Sequence, residues 1–285
     1  MNVLSLFDGM SSGQIALNKA NIKYDKYFAS EIDKNAIYIT QSNFPDTIQI
    51  GDVTKVVGKD LPPIDLLIGG SPCQGFSFAG KQLNFDDLRS KLFFEFVRLK
   101  NELNPKYFLL ENVNMKQEYQ DIISMYLNVN PIKINSSLVS AQNRKRLYWT
   151  NIPNVTQPKN HHIVLRDICD TNENNYIFIE EEKTKNRYYK KNYLQYDING
   201  TGHGSQDQRA YYLNGKHGCL DTGASSKAKI LTDEGKVRKI TRYEAEQLQN
   251  VPIGYTSMVS VSKAKNILGN GWTIDVIAHI FNNII

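Results

Sequence analysis

The sequence predicts an α/β fold: a mostly parallel sheet with helices on both faces, and a small inserted lobe. Three observations predict it. Through the first 150 residues, short apolar runs alternate with segments of helical spacing. The residues that close those runs are turn formers, carboxylates and a thiol. From about residue 151 the texture turns polar and weakly periodic, and helical spacing returns near residue 240. Strand-helix alternation marks a parallel sheet, whose ligands gather at the carboxyl ends of its strands.

The elements follow in order. "NVLSLF" (2–7) reads as the first strand, ending at Asp8-Gly9, and "GQIALNKA" as the helix after it. "KYFASEI" and "DKNAIYITQSNF" repeat that pair. "TIQI" and "IDLLIG" are further strands, then "RSKLFFEFVRLKNEL" a helix, "KYFLLE" (106–111) a strand and "MKQEYQDIISMYL" a helix. In "QNRKRLYW" (142–149) Gln142, Arg144 and Arg146 alternate, which in an extended segment places them on one face. Regularity breaks at "IPNVTQPKNHH". Beyond it "KTKNRYYKKNY" (183–193) interleaves five basic residues with three tyrosines, a mixture suited to phosphates and bases. That tract puts Lys190 and Lys191 forward as nucleic-acid contacts; on its own it also fits a solvated face. "ITRYEAEQLQ" (240–249) is helical, and "TIDVIAHIFNNII" closes the chain as an apolar helix. Such an ending implies a return to the first domain, so the expected boundaries are 1–151, 152–239 and 240–285.

Composition narrows the function classes. With 285 residues the chain can bury a substantial core. Cys73, Cys169 and Cys219 lie far apart with no ligand spacing, so neither a disulfide framework nor a zinc site is expected, and a reduced cytoplasmic chain is. The N-terminus "MNVLSLFDGM" lacks a basic leader, and no apolar stretch nears the roughly 20 residues that cross a bilayer. A net charge of +5 permits a polyanionic partner without demanding one. None of the five histidines is needed as a metal ligand.

Taken singly, the strand-end residues allow two readings each. The turn "FDGMSSGQ" opens a helix whose free N–H groups suit a polar ligand, although Gly9 and Gly13 also fit a plain tight turn. Glu31 can accept two hydrogen bonds from a ribose diol, or act as a charge at a helix start, with Asp33 competing for the ligand role. Asp52 can take an exocyclic amine or simply close a turn. A lone cysteine is more often a small buried residue than a nucleophile. At Cys73, however, Pro72 and Gln74-Gly75 hold the chain in a loop where a thiol can be reached and ionised. Glu111 ends the apolar "YFLL", so its carboxyl is expected to be partly desolvated and to hold a proton near neutrality, or else to cap a helix with Asn112.

Together these motifs carry a resemblance. "LFDGMSSG", "SEID", "GDV", "SPCQGFS", "ENV", "QNRKR" and "LGNGWT" occur in the order found in the DNA (cytosine-5) methyltransferase family, which the chain resembles over most of residues 1–150 and again from about 240 to its end. The resemblance implies a Rossmann-like S-adenosylmethionine-dependent methyltransferase fold with a target-recognition lobe. It implies S-adenosylmethionine as methyl donor, held by Phe7, Asp8, Gly9, Ser11, Gly13, Glu31, Ile32, Asp52, Val53, Pro72, Asn270, Gly271 and Trp272. By the same carry-over Cys73 is the nucleophile, Glu111 the acid that holds the base, and Arg144 and Arg146 its supporting cations. Gln74, Ser77, Gln142 and Arg144, with Lys190 and Lys191, are the expected DNA contacts. The implied product is 5-methylcytosine in a specific double-stranded DNA sequence, formed on a flipped-out base by a monomeric, metal-free protein. Two rival readings are a methyltransferase acting on cytosine in tRNA and an inactive DNA-binding regulator. The chain departs from the family pattern at Asp8, where a small residue is common, at Ser11-Ser12, where glycines are usual, and at Gly271-Trp272.

Overall fold

In the computed structural model the described residues are 1–71, 88–196, 206–221, 223 and 227–284. They form two compact units: residues 1–135, 145–157 and 276–285, and residues 136–144 and 158–275.

The first unit is built on a seven-stranded sheet. Its strands are β1 (Asn2–Leu6), β2 (Lys26–Ser30), β3 (Ile48–Gln49), β4 (Leu66–Gly70), β5 (Tyr107–Val113), β6 (Ile132–Asn135) and β7 (Lys145–Thr150), in the order β3-β2-β1-β4-β5-β7-β6. The β3-β2-β1-β4-β5 stretch is parallel, and β7 runs antiparallel to both β5 and β6. Parallel strands are covered on both faces, which is why "VLSL" and "LLIG" read as continuous apolar runs. The helices between them are α1 (Ser12–Lys19), α2 (Lys34–Asn43), α3 (Leu88–Leu103) and α4 (Gln117–Leu127). Leu4, Leu6, Leu67 and Leu110 of the sheet pack with Phe93, Phe96 and Leu99 of α3, with Ile123 of α4 and with Trp149. Trp149 is fully buried, and its indole N–H donates to Ser124 Oγ at 2.9 Å. A buried indole retains that partner because an orphaned donor costs about 1–3 kcal/mol.

The second unit holds a five-stranded sheet, in the order β12-β11-β10-β9-β8. These strands are β8 (Arg187–Tyr189), β9 (Tyr193–Tyr196), β10 (Arg209–Tyr212), β11 (Lys229–Leu231) and β12 (Val237–Lys239). Helices α5 (Arg242–Leu248) and α6 (Val261–Asn270) belong to this unit. The last helix, α7 (Ile274–Phe281), lies mainly in the first.

Two sequence expectations differ from this arrangement. The return to the first unit begins at residue 276 rather than 240, and residues 136–144 join the second unit. Buried polar contacts account for both shifts. Arg238 of β12 pairs with Glu244 of α5 at 2.7 Å, both side chains almost fully buried, and Gln142 donates to Gln249 at 2.9 Å. The alternation of Gln142, Arg144 and Arg146 on one face also fails, because β7 starts at Lys145 and only Arg146 lies within a strand.

Gly13 marks a close approach of α1 to the sheet. A Cβ there would meet Ile68 Cδ1 and the Tyr27 hydroxyl, each at 2.5 Å. Gly13→Ala is therefore expected to cost about 1–3 kcal/mol of stability, read by urea unfolding.

Candidate functional site

Parallel register puts the carboxyl ends of β1, β2, β3 and β4 on one edge, and short bonds join the turns that follow them. Asp8 N donates to Ser30 O (3.1 Å), Ser30 Oγ to Gly51 O (2.7 Å) and Ile50 N to Ala29 O (2.9 Å). Glu31 ties this edge together. One carboxylate oxygen accepts from Gly9 N at 2.8 Å; the other accepts from Ile32 N and Asp33 N at 2.7 and 2.8 Å. Asp33, the competing candidate, caps α2 by accepting from Asn35 N and Ala36 N.

The turn after β1 is left-handed at three positions, Phe7, Gly9 and Ser11 (φ 57, 61 and 64°). At Ser11, where the family pattern has glycine, the left-handed backbone costs a non-glycine residue roughly 1–2 kcal/mol. Its hydroxyl accepts from Gln14 Nε2 at 2.7 Å, and Gln14 also holds Thr47 at 2.8 Å. Among the described residues, and apart from their own chain neighbours, no atom lies within 4 Å of where a Cβ of Gly9 or Gly51 would stand. Both turns thus leave open space for a ligand against bare backbone. Asp52 caps the 3-10 turn Val53–Lys55, accepting from Thr54 N and Oγ1 at 3.0 and 2.9 Å. Those bonds hold its carboxyl below the usual range, the Thr54 backbone N–H foremost.

Asp8 is 8% exposed, and Tyr27 donates to its Oδ1 at 2.8 Å, while among the described residues Oδ2 has no hydrogen-bond partner. Burial pushes the Asp8 carboxyl up to about 6, against the opposing pull of hydroxyl donors from Ser5, Tyr27 and Ser11.

On the other side of β4 the register of β5 against β7 builds a second cluster. Glu111 faces Tyr148 and Val113 faces Arg146, so Arg146 is the diagonal neighbour of Glu111 on the same sheet face. Arg146 Nε lies 2.9 Å from Glu111 Oε1, and Glu111 is 8% exposed. Glu111 and Asn112 sit inside β5, and α4 is capped at Lys116, so neither residue caps a helix. Instead Asn112 Nδ2 reaches Ser71 Oγ at 3.1 Å and anchors the end of β4. Pro72, Cys73, Gln74 and Ser77 lie outside the described residues.

In the second unit Arg144 is buried and donates to the carbonyls of Leu220 (2.7 Å), Gly269 (3.2 Å) and Gly271 (2.8 Å). The cation thus closes the carbonyl end of α6, a favourable position against the helix dipole. Gln249, fully buried, donates to Leu268 O and Gly271 O and accepts from Gln142 and Thr273. Two carbonyl partners fix which end of that amide is nitrogen. These bonds set the backbone that leads into Asn270, Gly271 and Trp272. Gln249, Tyr27 and Gln14 are missed by sequence reasoning, since periodicity carries no mark of a buried polar partner. Lys190 and Lys191 are exposed in the β8–β9 hairpin turn. Among the described residues no group of three or more His, Cys, Asp or Glu forms a metal site, and no helix is long and apolar enough to cross a membrane.

Comparison with known proteins identifies the family and the fold. The family model for C-5 cytosine-specific DNA methylase matches residues 1–285. The Type II methyltransferase M1.ScrFI of Lactococcus lactis subsp. cremoris is 31% identical, the match covering 96% of this chain and 75% of that protein. The crystal structure of the S. pombe Dnmt2 methyltransferase superposes with a TM-score of 0.75 at 20% identity, covering 99% of this chain and 97% of its own. The Entamoeba histolytica methyltransferase EhMeth gives 0.77 at 15%, covering 100% and 99%.

The Asp8 carboxyl yields a signed pH prediction. An acid whose folded value (about 6) exceeds its ordinary value (3.8) binds its proton more tightly when folded. Its contribution to stability is therefore greatest below pH 3.8 and is lost as pH rises through about 6. Asp8→Asn removes the titration, so its stability relative to the parent is expected to rise by on the order of 2–3 kcal/mol from pH 4 to pH 7, measured by urea unfolding across that range.

Proposed function

We propose, from the premise that the chain belongs to the C-5 cytosine-specific DNA methylase family, that it reads a specific double-stranded DNA sequence and methylates a flipped-out cytosine through a covalent Cys73 adduct. Its activity is transfer of a methyl group from S-adenosylmethionine to C5 of cytosine in DNA, making it a DNA (cytosine-5-)-methyltransferase. The observation that carries the mechanism is the buried Glu111–Arg146 pair, 2.9 Å apart at the carboxyl edge where β4 leads toward Cys73.

The residues present suit an adenosyl ligand. Gly9 and Gly51 leave room against their backbone, Glu31 stands at the end of β2 as an acceptor for a ribose diol, and Asp52 at the start of its turn as an acceptor for an exocyclic amine. Phe7 and Val53 supply apolar surface beside them. When bound, S-adenosylmethionine supplies an electrophilic methyl group.

Cytosine C5 is a poor nucleophile, so a thiolate must first add to the ring. The Cys73 sulfur bonds to C6 and electrons move toward N3, where Glu111 supplies a hydrogen bond or proton and Arg146 the compensating positive charge. The enamine formed carries its nucleophilic carbon at C5, which would take the methyl group as its bond to the donor's sulfonium sulfur breaks, leaving S-adenosylhomocysteine. Loss of the C5 proton to a base then expels the thiolate and restores the aromatic ring. C6 is hidden in stacked DNA, so the nucleotide has to leave the helix first, at a cost of a few kcal/mol. Lys190 and Lys191 in the β8–β9 turn offer charge to phosphates.

DNA in which 5-fluorocytosine replaces cytosine tests the adduct, because fluorine cannot be removed from C5 as a proton is. With cofactor present the protein is expected to become covalently trapped. Cys73→Ala should abolish trapping and turnover and keep cofactor binding, while Glu111→Gln slows turnover about a hundredfold or more. Cys169→Ser and Cys219→Ser should trap normally. Trapping that survives Cys73→Ala overturns the assignment.

A further inference from the structure

Helix α3 carries Glu95, Arg98 and Glu102 at the i, i+3 and i+4 spacings that place side chains together on a helix. The Arg98 guanidinium is bound on its own helix by Glu95 (2.9 Å from Nε, 2.6 Å from Nη2) and by Glu102 (2.9 Å from Nη1). It also reaches off the helix. Nη2 donates to the carbonyls of Val53 at 3.3 Å and Val56 at 2.8 Å. The second oxygen of Glu102 accepts from Gly58 N at 2.9 Å, so closely that a Cβ on Gly58 would stand 2.7 Å from it.

The held segment is the one that Asp52 opens. Asp52 O accepts from Lys55 N (2.9 Å) and Val53 O from Val56 N (3.2 Å), closing one 3-10 turn, and Arg98 grips the carbonyl that opens that turn and the one that follows it. The apolar sides of Val53 and Val56 are buried in the core. Helix-surface ion pairs of this kind contribute little to stability. What a planar five-donor fork adds is direction: bound at four places, it sets where the peptide units of the turn point.

We propose that Arg98 is a positioning residue for the cofactor: it locks the Val53–Lys55 turn and thereby fixes the direction of the Asp52 carboxylate toward the adenosyl group. This rests on the reading of Asp52 as a cofactor contact. Lysine in place of Arg98 keeps the charge, but a point ammonium cannot hold two carboxylates and two carbonyls in one plane. The effect therefore belongs to the fork and not to the charge.

Equilibrium binding of S-adenosylmethionine by calorimetry, without DNA, tests it on Asp52→Ala, Arg98→Lys, Arg98→Met and the Asp52→Ala/Arg98→Lys double variant. Each single change is expected to weaken binding roughly tenfold, the scale of one hydrogen bond to a charged group. The double variant should bind no worse than Asp52→Ala alone, because Arg98 acts through Asp52. Thermal unfolding shows whether each variant is folded. Wild-type affinity in both Arg98 variants overturns the inference, as does multiplication of the two losses in the double variant, which would mark a general loosening of the unit. Wild-type affinity in Asp52→Ala instead removes the Asp52 contact itself, and the inference with it.

Discussion

The Glu31 carboxylate accepts three backbone N–H groups, from Gly9, Ile32 and Asp33, and so fixes the turn after β1 against the turn after β2. Helix and strand ends leave such donors unpaired, and a charged acceptor satisfies them more strongly than a neutral one does. With that bond made, Phe7, Gly9 and Ser11 can hold left-handed backbone in one short loop. The strain is local, and the bonds that offset it come from β2, α1 and the Thr47 hydroxyl. A turn over-determined in this way presents the same face to a ligand each time, which lowers the entropic cost of binding.

Much of this edge was legible in the sequence because the sheet is parallel. Each strand from β1 to β5 delivers its closing residues to the same rim, so a reading that found "NVLSLF", "KYFASEI" and "IDLLIG" also found Asp8, Glu31 and Ser71. Glycine and carboxylate residues at those points then had few other places to be. The β6–β7 hairpin broke the rule. Gln142, Arg144 and Arg146 alternate in sequence, yet a strand face is shared only by residues inside the strand, and β7 admits Arg146 alone. Composition located the change of texture near residue 151, but compact units are set by contacts, and the contacts that claim residues 136–144 are long-range polar bonds.

Those bonds explain why the second unit was the harder part to read. Gln142, Gln249, Thr273 and Ser136 form a chain of side-chain hydrogen bonds among residues distant in sequence, and Arg144 adds three backbone carbonyls from two segments. Gln142 and Gln249 are fully buried. A buried amide left unpaired costs more than its bond returns, so such a network is kept whole. In a single sequence, glutamine and arginine at these positions look like surface residues. Arg144 shows the consequence: the spacing groups it with Arg146, whereas the carbonyls it meets draw it to the end of α6.

Asp8 and Glu111 close neighbouring stretches of one sheet edge, both are buried, and the fold surrounds them in opposite ways. Asp8 is surrounded by the hydroxyls of Ser5, Tyr27 and Ser11, dipoles without net charge, and burial prevails to the point that its carboxyl titrates near 6. That outcome leaves the turn after β1 intact, since a neutral or half-titrated acid there still accepts from Tyr27. Glu111 is given a guanidinium at 2.9 Å, held in place by strand register rather than by a flexible loop. A buried ion pair contributes little net stability against an apolar substitute, but removing one partner leaves a lone charge at a cost of several kcal/mol. Glu111 and Arg146 are therefore linked energetically whatever the chemistry. In the proposed reaction the arriving ring brings N3 to the carboxyl, and the cation beside it balances the electron density that Cys73 would push there.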